Sequence, residues 1–249
     1  MWAVVLNTFG YYITTMNTTF LVSDFGNKSV ADVALAYPQS IHILNRHGLD
    51  YCCHGGIAFA EACAVQDLDP NHVWMEIQQQ RPASGTLRFD DWSTPLLIDF
   101  IQQHHHRYVR EAIPEIQGLL ERISEKHGTD QPFLKKLQQT FDLLAEELLA
   151  HLPKEEEILF PMILHFTAEG NRPEDIYPRV EAPVSVMEHE HESAGDLIKL
   201  MRSLTEDYST PEYACPTYQY TFRKLREFDE DLMQHIHLEN NIVFARVKG

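Results

Sequence analysis

Beyond residue 93 the apolar residues recur at alternating spacings of three and four, the period of a helix that buries one face. Four such stretches occur, at about 94–127, 131–168, 183–208 and 211–247. They are separated by HGTDQP, AEGNRPEDIYPRVEAP and YSTPEYACP, all rich in helix breakers. Four antiparallel helices joined by modest loops predict an up-down bundle. Upstream, between Lys28 and Gln80, shorter amphipathic stretches are broken by Gly48, Gly55, Gly56 and Pro70, which predicts a small helical domain. The segment RPASGTLRFDDWST has no apolar stripe and reads as a linker closing in an N-cap at Ser93 or Thr94 before Pro95. Residues 1–27 show neither helical period nor strand alternation, and Met16 is a candidate start. The expected organisation is all-α: an irregular extension over 1–27, a small helical domain over 28–80, a linker over 81–92 and a four-helix bundle over 93–249.

The inward seam of each bundle helix carries the chemistry. The second reads Leu134, Leu137, Phe141, Leu144, Leu148, His151, Glu155, Ile158, Met162, and the fourth reads Leu225, Phe228, Leu232, His235, Glu239, Ile242. Each apolar stripe is interrupted by one His and one Glu at the same spacing. The first helix offers His106 ahead of Val109, Ile113, Ile116, Leu120 and Ile123; the third offers His191 among Val184, Met187, Ala194, Ile198 and Met201. His151 and His235 lie 235 − 151 = 84 positions apart, and His106 and His191 lie 191 − 106 = 85 apart. A repeated two-helix unit about a pseudo-two-fold would therefore bring four imidazoles and two carboxylates to one point. Left unpaired in a bundle interior, each would cost on the order of 1–3 kcal/mol. Two metal ions, each with two His and sharing both Glu, use the set fully and offset its charge. His104, His105, His189 and His237 fall about 100–200° away around their helices and are expected to face outward, with His105 near enough to hydrogen-bond to the site. Pro153, between His151 and Glu155, is expected to kink the second helix.

Charge and composition narrow the partners. The 249 residues include 20 basic and 37 acidic side chains, a formal −17, which repels phosphate backbones and acidic membrane surfaces, so no nucleic acid or membrane partner is expected. No apolar run approaches the roughly 20 residues of a membrane span. The N-terminus lacks a basic region and a small-residue cleavage site, so a cytoplasmic location is expected. Histidine occurs 14 times against 11 glycines, often beside Glu, which points to metal. Of four cysteines, Cys52 and Cys53 are adjacent and followed by His54 and two glycines. They are candidates for thiolate chemistry or transient metal capture at a helix start, where the dipole lowers a thiol pKa. Cys63 and Cys215 read as structural. Glu147, one turn before His151, and Glu190, beside His191, are candidate proton or iron relays, set against the alternative of solvated helix-face carboxylates.

The segments HHHRYVREAIPEI, HLPKEEEILFPMI, VMEHEHESAG and LMQHIHLENNIVF resemble the hemerythrin-like half of the di-iron RIC (repair of iron centres) family, and LDYCCHGG resembles the cysteine pair of that family's small N-terminal domain. The resemblance covers most of 28–249. It implies two Fe ions with a bridging oxo or hydroxo group, held by His106, His151, Glu155, His191, His235 and Glu239. It also implies repair of iron–sulfur clusters damaged by nitrosative or oxidative stress, with damaged iron–sulfur proteins as partners and nitric oxide or oxygen as a small ligand; iron donation is the expected means, and the sequence does not choose between it and nitric oxide reduction. A di-iron nitric oxide or oxygen reductase and a hemerythrin-like sensor or carrier are the alternatives. Whether the chain is an enzyme, and whether it forms a homodimer, stay open at this point.

Overall fold

Ser29 opens the first helix of the computed structural model through a reciprocal capping box. Its hydroxyl accepts from the Asp32 amide, and the Asp32 carboxylate accepts from the Ser29 amide. The structure describes residues 25–80, 87–168, 172–212 and 214–249. The expectations for residues 1–24, and for the linker over 81–86, lie outside the described residues. After α1 (Val30–Ala36) come α2 (Ile41–Arg46), α3 (Phe59–Val65) and α4 (Pro70–Gln79), the last capped by Asp69 with Pro70 in its first turn. Helices this short are marginal alone. Trp74 holds them together, stacking on Phe25 at 4.1 Å and meeting Phe59 edge-on at 6.2 Å.

The bundle has four rods. The first is α5 (Thr94–Phe100) and α6 (Arg107–His127), joined by a π-helical turn at Ile101–His106. The second is α7 (Phe133–Lys154) and α8 (Phe160–Ala168), joined by a π turn at Glu155–Leu159. The third is α9 (Pro173–Thr205), without such a turn, and the fourth runs from α10 (Pro216–Leu238) through a π turn at Glu239–Val243 into α11 (Phe244–Lys248). Among the described residues every regular element is helical, and none is long and apolar enough to cross a membrane.

Two expectations need correction. The third rod begins at Pro173 rather than near 183, with Pro178 and Pro183 inside it. Ile176, Val180, Val184 and Met187 are buried at helical spacing, so the apolar contacts made by this extra length outweigh the backbone bonds that two prolines remove. In the second rod the π turn adds a residue after Glu155 and advances the seam: Leu159, Phe160 and Ile163 are buried, while Ile158 is 54% exposed. Pro153 is not the cause, because the same irregularity recurs at Glu239–Val243, where there is no proline.

The seam residues divide the core in two. One apolar cluster runs from the small domain into the α6–α7–α10 end of the bundle; the other gathers residues such as Leu97, Phe160, Val180 and Phe244 at the opposite end. The polar residues of the seam lie between them.

Candidate metal centre

His151 with Glu155 and His235 with Glu239 are four apart on their rods, so each pair shares a face. His106 closes one π turn, and Glu155 and Glu239 open the other two. The wider turn shifts the facing of the residues it contains, and such turns concentrate at functional sites. All six side chains are buried, both carboxylates completely.

They form two groups that share both carboxylates: His106, Glu155, His235 and Glu239, and His151, Glu155, His191 and Glu239. The paired imidazole nitrogens are 3.1 Å apart for His106 Nε2 and His235 Nε2, and 3.2 Å apart for His151 Nε2 and His191 Nε2. Two nitrogens at about 2.1 Å from one ion and at right angles would be about 3.0 Å apart. Glu239 Oε1 lies 2.9 Å from His235 Nε2, and Oε2 lies 3.2 Å from His191 Nε2, so one carboxylate faces both groups. Glu155 Oε2 reaches His151 Nε2 at 3.2 Å and His106 Nε2 at 3.5 Å. Both oxygens of Glu155 and Oε2 of Glu239 are buried with no hydrogen-bond partner among the described residues. Interior carboxylate oxygens seldom stay unpartnered. The donor set therefore suits a pair of divalent or trivalent ions.

Charge balance supports the same reading. Burial works against the charged form at His106 and His151, yet Glu155 and Glu239 outweigh it and push His106 up to about 10 and His151 up to about 9. The imidazoles in turn hold both carboxyls below their ordinary range against the effect of burial, Glu239 most strongly. His235 goes the other way, pushed down by its complete burial. Cations entering such a cluster take the place of protons.

The pattern of the hemerythrin HHE cation-binding domain matches residues 97–247, and that of a domain of unknown function found at the N-terminus of ScdA (DUF542) matches residues 26–81. The iron–sulfur cluster repair protein YtfE of Yersinia pseudotuberculosis serotype IB (strain PB1/+) is 34% identical over 228 residues, covering 90% of this chain and 97% of its own. Its counterpart in Yersinia pestis (strain Pestoides F) is 33% identical with the same coverage. The chain belongs to the RIC family. Iron binding and the hemerythrin-like bundle come with that membership.

Around the centre of this RIC protein, each histidine's other nitrogen meets a different environment. His106 Nδ1 donates to Glu156 at 2.7 Å, and Arg110 closes a two-pronged ion pair on the same carboxylate at 2.8 and 2.9 Å. His151 Nδ1 donates to Glu190 at 2.8 Å, and Lys154 holds the other Glu190 oxygen. His191 Nδ1 donates to Asn240 at 2.8 Å. His235 Nδ1 has no hydrogen-bond partner among the described residues, and its ring stacks on His105, centroids 5.5 Å apart. The seam pattern does not single out Glu156 and Asn240, although they too lie 84 positions apart, directly after the two seam glutamates.

Of the four histidines expected to face outward, His104 and His189 do. His105 and His237 are buried. The π turn swings His105 toward α10, where its Nδ1 lies 3.0 Å from Asp231. The small domain covers His237, whose Nδ1 donates to the Tyr51 carbonyl at 3.2 Å. Glu147 accepts from Ser193 Oγ at 3.0 Å; with Glu190, Lys154, His151 and His191 it lines a cavity of about 310 Å³ on one side of the centre.

The cysteine pair lies in a bend, not at a helix start, since α3 begins only at Phe59. Asp50 Oδ1 accepts from the amides of Cys52, Cys53 and His54 at 3.2, 3.0 and 3.3 Å, and the two sulfurs are 3.5 Å apart. Burial, the Cys53 thiol and the Asp50 carboxylate push the Cys52 thiol well above its ordinary value, the reverse of the lowering expected from a helix dipole. Cys63 is buried and Cys215 lies 3.5 Å from His127 Nε2.

Proposed function

We propose that His106 and His235 hold one iron and His151 and His191 a second, with Glu155 and Glu239 spanning both and an oxo or hydroxo bridge completing the pair. On that reading the protein repairs iron–sulfur clusters damaged by nitrosative or oxidative stress, by donating iron. The observation that carries it is the sharing of both buried carboxylates between two imidazole pairs, in a chain whose relatives are named iron–sulfur cluster repair proteins. When bound, the irons supply ferrous–ferric redox chemistry and positions open to exchange or to nitric oxide or oxygen.

The chain's own residues divide the work. Glu190 fixes the His151 ring through Nδ1, and Glu147 places a second carboxylate at the cavity beside it. Together they give hard oxygen donors on a route from His151 and His191 to solvent. Cys52 and Cys53 serve as the receiving or delivering arm, carried on a small domain over 28–80 and docked against the bundle over 93–249. The partners under this reading are damaged iron–sulfur proteins of the cytoplasm, with neither nucleic acid nor membrane involved.

The test uses protein loaded with ⁵⁷Fe and a purified [4Fe–4S] protein whose cluster has been damaged by nitric oxide. The expected result is recovery of the cluster absorption with the label inside it. A Cys52→Ser, Cys53→Ser double variant should slow recovery while leaving the di-iron spectrum intact. Recovery no faster than with free ferrous iron would overturn iron donation, and steady-state consumption of nitric oxide in its place would assign the protein to the reductases.

A further inference from the structure

The cysteine loop touches the bundle at the turn and the helix that bear Glu239 and His191. Asn240 Nδ2 donates to the Cys52 carbonyl at 3.2 Å, Asn241 Nδ2 donates to the Tyr51 carbonyl at 3.1 Å and at a longer 3.4 Å to that of Cys52, and Cys53 Sγ donates to the His191 carbonyl at 3.3 Å. Gly195 lies opposite the last contact, where an added Cβ would sit a tight 3.2 Å from that sulfur. His191 turns Nε2 toward the centre, so its ring proton is on Nδ1 and is given to Asn240 Oδ1. One amide thus joins a centre histidine to the backbone of a cysteine: its oxygen takes the His191 proton and its nitrogen gives a proton to Cys52.

The repeat shows why an amide stands there. The counterpart of Asn240 is Glu156, since 240 − 84 = 156, and Glu156 accepts from His106 on one side and Arg110 on the other. Both neighbours of Glu156 are donors, so a carboxylate satisfies both. Asn240 faces one donor and one carbonyl, and a carboxylate would turn lone pairs on the Cys52 oxygen. The half of the centre that meets the small domain therefore carries the one side chain of this size that can both accept and donate.

We propose that Asn240 is a positioning residue that couples ion binding at His151 and His191 to docking of the Cys52–Cys53 loop. This rests on the metal reading above. An ion on His191 fixes the ring, the ring fixes the amide, and the amide holds the Cys52 carbonyl. By reciprocity, release of the loop loosens the ion at that position, while the ion at His106 and His235 lacks this link.

The experiment follows alkylation of Cys52 and Cys53 by N-ethylmaleimide in the full-length native chain, read by peptide mass spectrometry, with iron per chain measured in parallel. Iron-loaded protein should react at least about fivefold more slowly than the stripped protein, the lower end of ordinary site–site coupling. Asn240→Asp keeps the acceptor for His191 and loses the donor to Cys52, so it should retain two irons and react at one rate, loaded or stripped. Asn240→Leu removes both ends and should release one iron ahead of the other. Equal rates for loaded and stripped wild type, a comparison that needs no variant to fold, would overturn the coupling. So would protection that persists in Asn240→Asp, because the thiols would then be shielded by some other route. A chain that takes up no iron sinks the metal reading as well; two irons with unprotected thiols sink this inference alone.

Discussion

The two halves of the bundle present the same inner residues in different surroundings. In the first, His106 is held by a carboxylate that is itself neutralised by Arg110 at the protein surface. In the second, the equivalent His191 is held by a neutral amide tied to the small domain. The remaining pair diverges as well: His151 has Glu190 and Lys154 beside an open cavity, whereas His235 is buried against the face of His105. The repeat therefore preserves what faces the candidate metal centre and varies what faces away from it. Two chemically similar positions become unequal in access and in what they are coupled to.

The most disruptive way to break the comparison is to remove a residue the two positions share. Glu155→Ala or Glu239→Ala should lose both irons, seen as metal content near zero and loss of the di-iron absorption. His151→Ala touches one group only; it should lower iron per chain by about one and leave the His106–His235 position occupied, which elemental analysis and Mössbauer spectra would show. Glu156→Leu should weaken the His106–His235 position by roughly 10–100-fold in chelator competition, the usual cost of removing a ligand's hydrogen-bond partner. Loss at the His151–His191 position in its place would show that the two positions are not independent. Asp50→Ala touches none of the six centre residues; it removes the carboxylate that accepts three amides of the cysteine loop and pairs with Lys199. It should cost about 2–3 kcal/mol in thermal or denaturant unfolding.

Asp50 also sets a pH dependence. Burial alone would raise its carboxyl, but His54, Lys199 and the loop amides hold it well below the ordinary range. A carboxyl lowered in the folded state contributes stability above its unfolded pKa, about 3.9, and that stability is lost as pH falls from there toward the folded value. The difference in stability between wild type and Asp50→Asn should accordingly be flat above about pH 5 and shrink below pH 4. The smallest effect is expected at Glu147→Gln, which keeps the hydrogen bond to Ser193 and should slow iron transfer without changing iron content.

Much of the bundle is legible from period alone, because two apolar stripes broken by His and Glu at the same spacing, as at His151–Glu155 and His235–Glu239, fit few arrangements besides a shared polar centre. What escapes the pattern has a common cause. The π turns break the 3.6 period where the seam turns polar, so a regular projection puts Ile158 and Met162 on a face that Leu159, Phe160 and Ile163 occupy. It also puts His105 and His237 outside, because a helical projection of one rod knows nothing of a neighbouring domain or a widened turn. The environment of Cys52 is hidden for a similar reason. A dipeptide before glycines suggests a helix start, and only the packed structure shows the thiol buried beside an acid. Pro178 and Pro183 mark a loop by residue type, whereas Ile176, Val180 and Val184 bury enough surface to keep the chain helical through them.

Each ion position draws one histidine and one glutamate from each half, never a complete set from either. During synthesis the first hairpin would leave the ribosome with His106, His151 and Glu155 already present but with no full complement of ligands. With the ligand set proposed above, iron uptake would wait until residue 239 emerges and the second hairpin closes on the first. On that reading a product ending before residue 239 would lack a glutamate from both ligand groups.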